Sequence, residues 1–370
     1  MTATVFMAGA FGQGNPGDEA LLEAFARALP HHAPVAASSD PAATVAAHGI
    51  DAVAREDVRG VVRAIARADA VVVTGGTVFK ALHPASGRAP LSLLRSAAAL
   101  TALARVLRKP IAFVGVGAAA LHGRAARGMA RMIVRTADLL VLRDEESATR
   151  LADAGAPAPF RVGADAAWTL LPDPPATGPA PDGGVVVALS HLAGGPDLAA
   201  RLAAGLEPVL DAGVDVRLDP WQPDGDVALA ADVAERLGHR AAIGPTPAGL
   251  LDARDGMAGA RLVLAQRFHA LVAAAGAGVP ALAVAHEPKL AGLGRRLEQP
   301  TVAPAAAPAA LGAAVLDALD GPPPAPAAMA RERASAEHGF RLLRVLLARG
   351  RSEEAVAIDG LDLRPEEWLA

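Results

Sequence analysis

The residues of this chain best suited to chemistry are cationic side chains that follow runs of apolar residues. In ARLVLAQRFHAL, residues 260–271, Arg267 and His269 stand where an apolar run gives way to a helix. The helix dipole disfavours cations at that end by ~0.3–1 kcal/mol each. Two of them there point to an anionic ligand that reverses the balance. The next apolar run ends in His286-Glu287-Pro288-Lys289, and Lys289 is one of three lysines among 35 basic residues. Earlier, Arg143 closes the run 139–142, with Asp144 placed to cap the following helix and Ser147 three residues on. Arg143, Arg267, His269 and Lys289 are therefore expected to converge on one cleft. Several cations with one histidine describe a site for a small, densely anionic substrate and proton transfer. The blander readings are a buried, satisfied His269 and an ion pair from Arg143 to Asp144 or Glu145.

The loop GAFGQGNPGDEALL, residues 9–22, can be read as G-x-G-x-x-G at Gly12, Gly14 and Gly17, with Asp40 in place of a ribose-binding acid. Against a dinucleotide site, Asp18 and Glu19 would face its pyrophosphate at close range. Asn15 as cap, Pro16 behind it and acids in the first turn account for a helix start. They do not account for the glycines, nor for the single asparagine of the chain. Gly14, Asn15 and Gly17 are therefore read as facing a ligand, with Asp18 meeting hydroxyls or cations. Gly75 and Gly76 follow another apolar run and allow close backbone approach, or simply make a tight turn. Lys80 is a weaker candidate, and 81–90 reads as irregular.

The elements that must hold these residues are apolar strands alternating with alanine- and leucine-rich helices. Strand-like runs occur at 4–10, 70–74, 111–116, 139–142, 185–189, 214–218, 261–265 and 281–285. Such alternation predicts an α/β fold with parallel sheets. The Pro- and Gly-rich stretch 172–184 reads as a linker. It divides an N-terminal Rossmann-like domain, 1–171, from a C-terminal one, 185–320. A Pro-rich segment and an arginine-bearing helix, 321–370, follow. The chain has 370 residues, ample for two cores. Its net charge of −4 gives no field for holding nucleic acid. With no cysteine, disulfides and thiolate chemistry are excluded. No run reaches the ~20 apolar residues of a membrane span. No signal peptide is evident, so a cytoplasmic protein is expected. No histidine or acid spacing suggests a metal site. The scarcity of Lys, Asn and Ile and the absence of Tyr suggest a GC-rich genome, which makes a surviving Lys or Asn more informative.

Taken together, GQGNPGDEALL, TGG at 74–76, GVG at 115–117, RDEES at 143–147, GADAAW at 163–168, PWQPDGD at 220–226, QRFHALVAAAGAGVP and HEPKL resemble the polysaccharide pyruvyl transferase family, in family order over roughly 5–295. The resemblance implies a GT-B-like pair of Rossmann-type domains with an interdomain cleft, the acceptor on the N-terminal side and the donor on the C-terminal side. It implies transfer from phosphoenolpyruvate onto a sugar of a bacterial cell-wall or exopolysaccharide glycan, giving a pyruvate ketal and phosphate. His269 would be the acid that protonates the donor. Asp18 would orient or deprotonate a sugar hydroxyl, and Arg143, Arg267 and Lys289 would hold the anionic groups. Gly14, Asn15, Gly17, Gly75 and Gly76 would line the substrates. Phosphoenolpyruvate is then a substrate, and no resident cofactor or metal is expected. The glycan could be lipid-linked, placing the protein at the inner face of the membrane with at most peripheral contact, and a homo-oligomer is left open. The chain departs from the family pattern at Phe79-Lys80, at Ser190-His191, where an arginine often stands, and at His286, where an aromatic is usual. Trp168 or Trp221 could stack on a sugar or belong to the core. A GT-B nucleotide-sugar glycosyltransferase, a noncatalytic glycan- or nucleotide-binding protein and a dinucleotide oxidoreductase are the alternatives.

Overall fold

Continuous apolar runs form strands buried on both faces. Val185–Leu189 and Leu262–Ala265 are buried at every position, as is Ala70–Thr74. That burial requires helices on both sides of each sheet. The structure, a computed structural model, describes residues 3–82, 87–175, 180, 182–195 and 197–348. The linker at 172–184 and the irregular segment at 81–90 lie partly outside the described residues, and 349–370 lie wholly outside.

Within the described residues the chain forms two units. The first holds residues up to Gln13, Leu21–Thr169 and the residues from Glu332 onward. Its strands are β1 Ala3–Phe11, β2 His32–Ser38, β3 Asp51–Ala54, β4 Ala70–Thr74, β5 Thr77–Phe79, β6 Ile111–Ala118, β7 Leu139–Leu142 and β8 Arg161–Val162. They form an eight-stranded sheet of order β3-β2-β1-β4-β6-β7-β8, with β5 paired to β6. The second unit holds Gly14–Ala20 and Leu170–Arg331. Its strands are β9 Val185–Leu189, β10 Val216–Pro220, β11 Ala242–Ile243, β12 Leu262–Ala265, β13 Ala281–Val284 and β14 Thr301–Val302, in the order β11-β10-β9-β12-β13-β14. Every pairing in both sheets is parallel. The two groupings differ from a plain division at the linker in two places. Gly14–Ala20 of the glycine loop joins the second unit, and the far part of the helix Pro326–Ala348 joins the first. In the first unit buried Phe340 meets Phe25 edge-on, with ring centroids 4.8 Å apart.

Strand order reverses between β1 and β4 in the first unit and between β9 and β12 in the second. Ligands of open parallel sheets bind beyond the carboxyl ends of the strands at such a switch point. The loops that follow β9 and β12 carry Ser190-His191 and Gln266-Arg267, and Gln266 Oε1 accepts from Ser190 N at 2.9 Å, joining the two. Trp168 and Trp221 are 1% and 0% exposed, so both belong to the core and neither offers a sugar-stacking face. Asp40 caps the helix Pro41–His48, accepting from Ala43 N at 3.0 Å, which is the role of that acid here.

Candidate active site

The helix Phe268–Ala277 begins one residue after Arg267 and is alanine-rich and apolar all round. A helix of that composition belongs inside a core. Every one of its residues is buried except His269, which is partly exposed at the first turn. His269 is thus not a core histidine. Its ring stands edge-on to Phe268, with centroids 5.4 Å apart.

The glycine loop lies against this histidine. A Cβ on Gly17 would come within 2.5 Å of the His269 ring carbon Cγ, closer than real contacts allow. Only glycine at 17 leaves the ring where it is. Gly12 has φ +71° and would drive a Cβ to 2.5 Å from Asp40 N, while Gly14 has φ +65°. The glycines therefore answer local demands of backbone and ring, and no pyrophosphate is needed to explain them. Asn15 Oδ1 accepts from Gly17 N at 3.1 Å, and Asn15 Nδ2 donates to Asp18 Oδ2 at 2.7 Å. One side chain both starts the helix Pro16–Ala28 and fixes the carboxylate of its first turn.

Arg267 has a resident counter-charge. Its Nη2 donates to Asp226 Oδ2 at 2.5 Å and its Nε to the Leu189 carbonyl at 2.9 Å. The cation at this helix start is therefore offset, at least in part, by the protein's own carboxylate. Asp226 is fully buried in the helix Pro223–Arg236. It also accepts from His191 N at 2.8 Å, His191 Nδ1 at 2.7 Å, Trp221 N at 3.2 Å and Gln222 N at 3.0 Å. A buried carboxylate is tolerated when it is paired and its lone pairs are filled, and these partners do both. The sequence reading did not single out Asp226. PWQPDGD entered only as a motif of the family resemblance, and the partners of Asp226 lie as far as 41 residues away. The available signal was the acid itself, placed just after a strand in a quoted motif.

Lys289 opens the helix Pro288–Arg296, and its Nζ meets Glu287 Oε2 at 2.5 Å. Burial holds the neighbouring His286 below its ordinary value; Glu287 and the Val284 carbonyl pull upward, while Lys289 and Arg267 press down. The charges of Arg267 and Lys289 thus reach one imidazole, so the loops after β12 and β13 do share a neighbourhood.

In the first unit, Arg143 follows β7 and is only 2% exposed. Its Nε donates to Asp144 Oδ2 at 3.0 Å, so the ion pair is present. Asp144 caps the helix Glu145–Asp153, accepting from Ser147 N at 2.8 Å and Ser147 Oγ at 2.6 Å. Burial opposes ionisation of Asp144, but Arg143 and the Ser147 bonds outweigh it and hold the carboxyl below its ordinary value. A Cβ on Gly117 would lie 2.7 Å from Arg143 Nη2 and 3.3 Å from Thr77 Oγ1, so the guanidinium occupies the space glycine leaves. Gly75 and Gly76 have φ +91° and +54°, and Gly76 O accepts from Gly117 N at 2.9 Å. Lys80 is half-buried just past β5.

A cavity of about 480 Å³ lies at the opposite, amino end of the second sheet, beside Val185, Val216 and Ala242. Its two arginines are already bound, Arg217 to Asp219 and Arg240 to Asp211. It has none of the convergent cations of the β12 and β13 loops. Among the described residues, no group of three His, Asp or Glu could hold a metal ion.

The family model for polysaccharide pyruvyl transferase matches residues 15–288, which include Asn15, Gly17, Asp18, Arg143, Arg267 and His269 and stop one residue short of Lys289. The chain belongs to the polysaccharide pyruvyl transferase family. No curated protein matches the sequence of this family member. Among solved structures it resembles Anabaena HepE in complex with UDP and glucose at TM-score 0.58 and 14% identity, over 97% of this chain and 100% of that one. It also resembles S. aureus MnaA with UDP, at TM-score 0.62 and 10% identity over 94% and 96% of the two chains. A third is the UDP-N-acetylglucosamine 2-epimerase of Rickettsia bellii, at TM-score 0.61 and 14% identity over 94% and 97%. At such identities the likeness is one of fold. The chain is GT-B-like, with two Rossmann-type parallel-sheet units.

Proposed function

We propose that this transferase moves a pyruvyl group from phosphoenolpyruvate onto two hydroxyls of a sugar in a cell-wall or exopolysaccharide glycan, forming a ketal and releasing phosphate. The observation that carries the reading is the helix Phe268–Ala277, whose one partly exposed residue is His269, with Arg267 before it and Lys289 in the next loop. Phosphoenolpyruvate is small and densely anionic. Arg267 and Lys289 suit its carboxylate and phosphate, whereas Arg143 in the first unit is buried against the carboxylate of Asp144. His269 protonates C3 of the enol, which makes C2 electrophilic. Asp18, fixed by Asn15, orients or deprotonates an attacking hydroxyl. Gly14, Gly75 and Gly76 allow close approach of substrate to backbone, while Gly17 seats the His269 ring. The work is done in the cytoplasm, at the inner membrane face where the glycan is lipid-linked. Among the described residues no helix is long and apolar enough to cross a membrane.

The test is phosphate release from phosphoenolpyruvate in the presence of sugar acceptors. The wild type releases phosphate, and His269→Ala lowers kcat by roughly 100-fold or more, the usual share of a general acid. An undiminished rate in His269→Ala contradicts the assignment. A second reading, nucleotide-sugar glycosyl transfer, is favoured by the UDP and glucose named with Anabaena HepE. It predicts binding of UDP-sugars and indifference to phosphoenolpyruvate.

A further inference from the structure

We propose that His191, aimed by the buried carboxylate of Asp226, is a second proton donor in this reaction and protonates the phosphate as it leaves. The inference rests on the pyruvyl-transfer reading. Ketal formation breaks the C2–O bond to phosphate, makes two new C2–O bonds and makes one C3–H bond. The two sugar hydroxyls give up two protons. One balances the proton added at C3. The other must reach phosphate, because the bridging oxygen departs with the bonding electron pair and would otherwise leave as the trianion. His269 serves C3, so the phosphate needs a different acid. When His191 has given its proton to phosphate, the second hydroxyl restores it.

The geometry of the second unit supplies this acid at the switch point. His191 follows β9, and its Nδ1 lies 2.7 Å from Asp226 Oδ1. A carboxylate accepting at Nδ1 fixes the proton there and leaves Nε2 for a substrate. The ring is 34% exposed, whereas the Asp226 side chain is fully buried. Asp226 is therefore a positioning residue with no access to substrate of its own. Its other oxygen holds Arg267 at 2.5 Å. One carboxylate thus sets an imidazole beside the guanidinium assigned to the anionic groups of the donor. The ring rests on Gly225, where φ is +92° and a Cβ would lie 2.7 Å from His191 Cγ. The glycine at the start of the helix Pro223–Arg236 is explained by this seat. An arginine at 191 could only hold phosphate; a histidine can also give it a proton.

The first arm of the test needs no acceptor. Phosphoenolpyruvate is titrated into uniformly ¹⁵N-labelled protein at neutral pH, and the His191 ring resonances are identified by their loss in His191→Gln. The proposal predicts an Nδ1–H ring in the free protein that moves toward the doubly protonated form as phosphoenolpyruvate binds. Asp226→Asn removes the tautomer preference. Unmoved His191 resonances in a protein that phosphoenolpyruvate stabilises against heat overturn the proposal alone. Absence of both responses overturns the pyruvyl-transfer reading, and this proposal with it. The second arm compares phosphoenolpyruvate with sulfoenolpyruvate, whose sulfate leaves without needing a proton, on methyl hexopyranosides that the wild type accepts. His191→Gln is expected to lose about 100-fold in kcat with phosphoenolpyruvate and less than about 10-fold with the sulfate donor. An equal loss on both donors marks a merely structural histidine and overturns the assignment.

Discussion

Gly17 and His269 show how a single side-chain position constrains the site. Alanine is ordinarily better than glycine inside a helix by ~0.5–1 kcal/mol. Here its methyl would overlap the His269 ring, and overpacking of this kind costs about 1–3 kcal/mol. Gly17→Ala is expected to displace the ring, so kcat falls further than a stability loss of about 1–3 kcal/mol in urea unfolding accounts for. A variant with unchanged kcat would show that the ring has room to move. His286 has a different signature. Its folded form resists protonation relative to the ordinary value of 6.5, so the unfolded chain binds the proton more readily. The stability tied to this neutral imidazole is present above pH 6.5 and is lost as the pH falls below it. Urea midpoints measured from pH 7.5 to 5.5 should drop, and His286→Gln should flatten that drop. At this scale the cations were legible because residue type and place conflicted: Arg267 and His269 stand at the wrong end of a helix dipole. Asp226 was not legible, since an acid in the first turn of a helix conflicts with nothing until its distant donors are brought to it.

Among the elements, those buried on both faces were readable. Val185–Leu189 and Ala70–Thr74 have no alternation and no polar interruption beyond their ends, and both are central strands. The strands that escaped were β2, which begins His32-Ala33-Pro34, and the short β3, β5, β8, β11 and β14. Several of these lie at sheet edges, where pairing on one side asks little of the sequence. The helix Glu145–Asp153 announced its start through Asp144 and Ser147, and the structure confirms that cap. Asp144 also pairs with buried Arg143, so Asp144→Ala removes a cap and a carboxylate partner of that charge. Removing one partner of a buried pair costs about 3–5 kcal/mol, which chemical unfolding can read directly. A loss under ~1 kcal/mol would mean that the guanidinium has found another partner. Because Asp144 is held below its ordinary value of 3.8, this part of the stability persists above that pH and disappears only in stronger acid.

For the whole molecule, two parallel sheets of Rossmann order are a scaffold shared with proteins only 10–14% identical. Scaffold alone does not give a reaction, and the chemistry has to be argued from the loops beyond the strands. The contribution of the C-terminal helix to this scaffold is testable. Phe340 is buried against Phe25, so Phe340→Ala is expected to destabilise the first unit by about 3–5 kcal/mol, seen as a lower urea midpoint. The central claim is that the cations after β12 and β13 receive phosphoenolpyruvate. The most direct measurement is a thermal-shift titration at neutral pH with phosphoenolpyruvate, UDP-sugars and NADH, on wild type and Lys289→Ala. The account predicts a rise in Tm with phosphoenolpyruvate alone, weakened in Lys289→Ala. A rise with a UDP-sugar or NADH and none with phosphoenolpyruvate would contradict it.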